Sequence, residues 1–259
     1  MKKKIIGIIL VAIVLIVISI FVINKPKIKR KDKVDNVKDI TKIKEKKEEL
    51  HRYTYKDGFY YEDISSELKK KITGKSFPST FDEHYTSISY DDIKYLKMKY
   101  YDFEGKEHKD GEMIVHSSVS KEVLEIFYIL YENKYPIEKM KLVEDYNAVD
   151  ELSMEDNNTS AFNYRLVENS VRLSWHCFGL AVDINPLYNP YITGNDLYPK
   201  TAGEYVDRTK EFKGKIDEED LAYKTFTDYG WKWGGNFYGE KDYQHFYKEY
   251  LDASVRERR

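Results

Sequence analysis

Residues Ile5 to Ile23 form an unbroken apolar run, IIGIILVAIVLIVISIFVI, with no charged side chain. At about 1.5 Å per helical residue, it nearly matches a hydrocarbon core about 30 Å thick. The run predicts one transmembrane helix, in an anchor over residues 1–24. It is longer than a signal-peptide apolar region, and no small-residue cleavage site follows, so an uncleaved anchor is preferred to a removed signal. Residues 25–52 turn to Lys, Glu and Asp, with Val34, Val37, Ile40 and Ile43 at a spacing of three. That pattern fits a thin-striped helix or a solvated stalk, with too little apolar surface to fold alone.

Apolar positions return from Tyr53, and residues 53–259 read as one globular domain. Asp57 to Gly74 (DGFYYEDISSELKKKITG) predicts a turn and then a helix ending at Gly74. Residues 91–115 predict short strands with a turn at Phe103-Glu104-Gly105. Lys121 to Lys134 places Val123, Ile126, Phe127 and Leu130 on one helical face, with Ser120 as candidate N-cap and Pro136 as the stop. Residues 147–170 are polar and read as loop. A strand is expected around Gly179 to Ile184, then a Pro/Asn/Tyr-rich loop to about residue 203, a helix over Asp217 to Tyr229, and a closing Gly/aromatic segment. The sum is an α+β domain: a small, mostly antiparallel sheet with flanking helices.

Composition changes this picture in two ways. A single cysteine, Cys177, excludes an internal disulfide and a cysteine-rich metal site, so any metal must be held by His and carboxylates. The net charge of −2 conceals an asymmetry: residues 1–33 carry nine Lys/Arg and one Asp, whereas the remainder carries 34 basic and 44 acidic residues. The acidic domain argues against a nucleic-acid partner.

Of six histidines, four read as ordinary. His51 lies in the charged stalk and His108 in a Lys/Asp-rich turn, so both are expected to face solvent. His116 ends a strand, and His84 has no partner that the sequence specifies. His176 and His245 differ in their neighbours. His176 opens WHCFGLAVD, where Asp183 follows seven residues later in an apolar strand. A carboxylate there is costly unless paired; a metal would pair it, and a turn at Gly179 can fold His176 back beside it. In the second cluster, KDYQHFY, Asp242 stands three residues before His245. One side chain can ligate while the other takes a proton from an attacking water, the division of labour that a zinc hydrolase requires.

These segments resemble the M15 family of zinc D,D-carboxypeptidases and related peptidoglycan peptidases. The family pattern S-x-H-x-x-G-x-A-x-D is complete from Ser174 to Asp183, and its carboxylate three before a His is Asp242 before His245. Asn157 to Arg165 (NNTSAFNYR) is similar to the family segment that carries an active-site Arg. The resemblance implies one zinc ion held by His176, Asp183 and His245, with Asp242 as general base. It further implies that Arg165 stabilises the polarised carbonyl or holds a substrate carboxylate, and that Ser174 positions substrate or ligand. Two departures leave the scissile bond open. The D,D-carboxypeptidase branch generally has Glu where Asp242 stands, the L-alanyl-D-glutamate endopeptidase branch has Asp, and the family's Gly-Gly-x-Trp is here Gly234-Gly235-Asn236-Phe237.

The expected function is therefore hydrolysis of peptidoglycan stem peptides, at D-Ala–D-Ala or L-Ala–D-Glu. The alternative is a catalytically silent, zinc-containing wall-binding module, against which the intact Asp242 argues. A monomer is expected, membrane-bound through its N-terminal helix. A plain positive-inside count would keep the C-terminus in the cytoplasm. The implied wall substrate favours the opposite orientation, with the catalytic domain outside.

Overall fold

The computed structural model describes residues 49–81, 88–167 and 170–249. The expected span over residues 5–23, nearly all of the stalk and His84 lie outside them. Among the described residues, no helix is long and apolar enough to cross a membrane.

The chain opens with a hairpin, β1 (Arg52–Lys56) and β2 (Phe59–Glu62). Its turn is Asp57-Gly58, with Gly58 at φ +76°, a backbone state that glycine enters without a Cβ penalty. Helix α1 (Ser66–Ile72) follows, its first turn capped by Ser65, whose side chain accepts from the Leu68 N–H. Two long strands, β3 (Ile93–Tyr101) and β4 (Glu107–His116), pair antiparallel around the predicted turn and complete a four-stranded sheet in the order β1-β2-β3-β4. Helix α2 (Ser120–Glu132) buries Val123, Leu124, Ile126, Phe127 and Leu130 against this sheet. Ser120 is not its N-cap as expected. Val119 holds that position, and the Ser120 hydroxyl donates to the Ser117 carbonyl.

The second half differs more from expectation. The polar stretch read as loop contains a short helix, α3 (Asp150–Glu155). In place of one small sheet, the described residues form three, all antiparallel. Strands β5 (Ala181–Asp183), β10 (His245–Tyr247) and β8 (Lys232–Trp233) form one, in the order β5-β10-β8. Strands β7 (Asp196–Tyr198), β6 (Tyr191–Thr193) and β9 (Glu240–Asp242) form another, in the order β7-β6-β9. Helix α4 (Leu221–Asp228) begins at Asp220, whose carboxylate accepts from the Ala222 N–H.

One continuous apolar cluster ties these layers together. Leu96, Met113 and Val115 of the large sheet meet Phe127 of α2, Phe226 of α4, and Val182 and Phe246 of the β5–β10 pair. Phe226 and Phe246 stack with centroids 4.4 Å apart. The strands that will carry polar chemistry are thus bolted to the core through their alternate residues, as the two-residue period of a strand requires.

Candidate metal centre and cleft

In the β5–β10 pair, His245 stands directly opposite Asp183, with Phe246 opposite Val182. Antiparallel register alone brings an imidazole and a carboxylate on one face to within reach of each other. The third group arrives from the 3-10 turn Trp175–Phe178. This turn is stopped by Gly179 at φ +64°, and the Ser174 hydroxyl caps its start by accepting from the His176 N–H. Glycine is required at 179 twice over. Its φ is left-handed, and an added Cβ would stand 2.5 Å from the His116 nitrogen. The close approach is used, because the His116 N–H donates to the Gly179 carbonyl at 2.8 Å. His116 accordingly supports the turn rather than joining the cluster.

His176 Nε2 lies 3.2 Å from His245 Nδ1 and 3.1 Å from Asp183 Oδ2, and His245 Nδ1 lies 3.0 Å from Asp183 Oδ1. All three residues are buried. His176 Nδ1 faces the Ala161 carbonyl. A carbonyl can only accept, so Nδ1 carries a proton, which leaves Nε2 as the ring atom able to ligate a metal beside Asp183 and His245. Lone pairs converging in a buried site repel unless a cation sits among them. Tetrahedral zinc with ligand bonds of about 2.0–2.1 Å has ligand atoms about 3.3 Å apart, close to the three separations here. The residues fit a zinc ion, and these are the three side chains whose ligand atoms gather within 4.8 Å among the described residues. Burial pushes the Asp183 carboxyl up, but the two imidazoles override it and hold the group well below its ordinary value, ionised as a ligand must be.

The cluster forms the floor of a cleft of about 580 Å³, with Ser174, Arg165 and Asp242 also in its walls. Asp242 ends β9, opposite Tyr191 of β6. Its Cβ and that of His245 lie 2.8 and 3.2 Å from where a Cβ on Gly234 would stand, so Gly234 is the gap that lets base and ligand candidates come together. Asp242 is half-buried as a whole, yet its Oδ1 is shut off from solvent and has no hydrogen-bond partner. Burial is the main force that raises its carboxyl to about 7, with His245 and Arg165 pulling the other way and Asp183 adding to the rise.

Arg165 also lines the cleft. Its Nη2 lies 2.7 Å from Asp150 Oδ2, while its Nε is buried without a partner. Asp183 and Asp242 also act on it, and with Asp150 they keep the guanidinium charged despite burial. Asp150, Ala161 and Cys177 all touch the site and none was singled out from the sequence. Asp150 sits in a stretch that read as loop, and Ala161 contributes only a backbone oxygen. His108, expected to face solvent, is half-buried instead: it stacks on Tyr100 at 4.8 Å and pairs with Asp102 at 2.7 Å.

Residues 168–248 match the model of a family described as D-alanyl-D-alanine carboxypeptidase. The match supports an M15-family peptidase. It takes in His176, Asp183, Asp242 and His245 together, so the matched segment and the geometric cluster coincide. Comparisons with curated proteins and with solved structures gave no match. The matched segment spans both small sheets of the second half and the three residues of the cleft floor. Arg165 and its partner Asp150 stand upstream of the matched residues.

Proposed function

We propose that this chain is a zinc-dependent peptidase that hydrolyses the stem peptides of peptidoglycan, at the D-Ala–D-Ala or the L-Ala–D-Glu bond. The observation that carries the reading is Asp242: a buried carboxylate with a free oxygen, raised toward neutral, on the same cleft as the His176–Asp183–His245 cluster. A site built only to hold a structural metal has no use for such a group. When bound, zinc supplies Lewis acidity, lowering the pKa of a water molecule to about 7 and polarising a carbonyl.

The protein's own groups divide the remaining work. His176, Asp183 and His245 hold the ion, with the Ala161 carbonyl fixing the His176 ring. Asp242 takes a proton from the attacking water and returns it to the leaving amine, a task suited to a group titrating near working pH. Arg165 points N–H donors at the carbonyl oxygen as it gains negative charge. Ser174 positions the His176 turn through its cap. We further read residues 5–23 as a single-pass anchor, with the monomeric catalytic domain on the outer, wall-facing side; reporter fusions to the C-terminus test this, and a cytoplasmic signal would exclude a wall substrate.

The deciding experiment incubates the protein and zinc with defined stem peptides and identifies products by mass spectrometry. Loss of a terminal D-alanine, abolished by chelator and restored by zinc, establishes the carboxypeptidase, and cleavage after L-alanine the endopeptidase. A folded, zinc-loaded protein that cuts neither refutes the proposal.

A further inference from the structure

We infer that Asp150 is a positioning residue for the reaction: its carboxylate sets where the Arg165 guanidinium points. The inference rests on the reading of Arg165 as the donor to the substrate carbonyl. Arg165 is held at two places. Its backbone belongs to the metal-site turn, because Ser174 N–H donates to the Arg165 carbonyl at 3.1 Å. The Cys177 thiol donates to the same carbonyl at 2.8 Å and accepts from the Arg165 N–H at 3.1 Å. These bonds fix the Arg165 Cα relative to His176, one of the two residues between Ser174 and Cys177 in the chain. They leave the direction of a long, rotatable side chain to one long bond, from Nη1 to the carbonyl of the exposed neighbour Leu166 at 3.4 Å.

Asp150 supplies the missing constraint. Its Oδ2 takes the Arg165 Nη2 at 2.7 Å, while its Oδ1 faces the Asn163 amide at 3.4 Å. Asn163 is buried, and its backbone N–H donates to the His176 carbonyl at 3.2 Å. The carboxylate is therefore anchored through Asn163 to the same turn that presents His176. The direction it imposes matters because two other carboxylates, Asp183 and Asp242, attract the guanidinium. Without Asp150, Coulomb attraction draws Arg165 toward them and away from the carbonyl it is to meet. With Asp150 in place, the head group is charge-matched on one side and leaves Nε, buried and unpartnered, as a donor in reserve.

The test compares wild type, Asp150→Asn and Asp150→Glu, each loaded with zinc, in two measurements. The first is exchange of the Arg165 Nε–H proton with solvent, followed by ¹⁵N NMR and assigned by its absence in Arg165→Lys. The second is the split of kcat and KM on a stem pentapeptide. We expect the Nε–H to exchange at least about tenfold more slowly than in exposed arginines, and Asp150→Asn to abolish that protection. In the same variant kcat should fall by about ten- to a hundredfold, the scale of an ångström-size misplacement. KM should move less than about threefold and zinc stoichiometry not at all. Asp150→Glu, which keeps the charge, should recover part of both. Unchanged exchange and kcat in Asp150→Asn would overturn the inference, as would loss of zinc along with activity, which marks a merely structural role. If wild type cuts no stem peptide, the proposed function fails, but Nε–H exchange in the three proteins still decides where Asp150 holds Arg165.

Discussion

Glu144 offers a measurement that isolates one buried carboxyl outside the His176–Asp183–His245 cluster. It lies in the 3-10 turn Val143–Tyr146, is 4% exposed, and accepts from the Ser76 hydroxyl. Burial pushes its carboxyl from 4.5 up to about 7, against the pull of Lys71 and Lys75. A carboxyl raised on folding prefers its neutral form in the native state. Between pH 4.5 and 7 the folded protein therefore binds more protons here than the unfolded chain, and stability falls as pH rises through that window. A shift of about 2.5 pH units at about 1.4 kcal/mol each gives about 3 kcal/mol lost by pH 8. Glu144→Gln keeps the shape and removes the titration. The two proteins should have equal unfolding free energies at pH 4, with the variant ahead by about 3 kcal/mol at pH 8. In a domain of this size that is about 6–12 °C in Tm. Urea denaturation at pH 4, 5.5, 7 and 8 measures the difference, and titrations common to both proteins cancel in it. A difference that stays flat across these pH values, or a variant less stable at pH 8, refutes the argument.

Four further outcomes follow from the cleft and the turn that supports it. Asp242→Asn should bind zinc with wild-type stoichiometry, by metal analysis, while turnover of stem peptide falls by about 10²–10⁴. His176→Ala should lose both zinc and turnover, because Asp183 and His245 alone cannot close the site. Chelation of wild type should lower its Tm, whereas the same chelator should leave the Tm of His176→Ala where it was. Gly179→Ala should cost at least about 2 kcal/mol in denaturant titrations, since it adds left-handed strain to a Cβ held 2.5 Å from the His116 nitrogen.

What the sequence disclosed depended on how far apart the cooperating residues stand. Helix α2 was legible because Val123, Ile126, Phe127 and Leu130 repeat over about two turns, and the β3–β4 hairpin because Gly105, at φ +80°, marks its turn. Helix α3 was not, because six residues are too few for a 3.6-residue period to declare itself. The β6–β7 hairpin carries a signal that was passed over: Gly194-Asn195 between paired Thr193 and Asp196, with Gly194 at φ +59°. Its surrounding prolines and asparagines made it look like loop. In the site, His176, Asp183, Asp242 and His245 could be singled out by local spacing. The Ala161 carbonyl and Asp150 act across the fold, and no local pattern marks a backbone oxygen or a carboxylate fifteen residues from the arginine it holds.

The two aspartates that line the cleft differ in the way their proposed roles, metal ligand and base, require. Asp183 meets the His245 imidazole across a strand pair and the His176 imidazole from the 3-10 turn, and these two neighbours hold it ionised against burial. Asp242 ends the neighbouring sheet, where Gly234 leaves room for it but no donor meets its Oδ1, and burial raises it toward neutral. A ligand must give up its proton permanently; a base must be able to take one back. Titratable groups that start alike and are driven apart by their surroundings indicate such a division. Here the driver is fold topology. The β5–β10 register sets Asp183 against His245, while β9 belongs to a different sheet and delivers Asp242 with its Oδ1 unbonded. Moving Asp242 into register with a donor would lower its pKa and remove its use as a base while leaving every metal ligand in place. The separation of the two small sheets is therefore as much a part of the proposed catalytic apparatus as the side chains they carry.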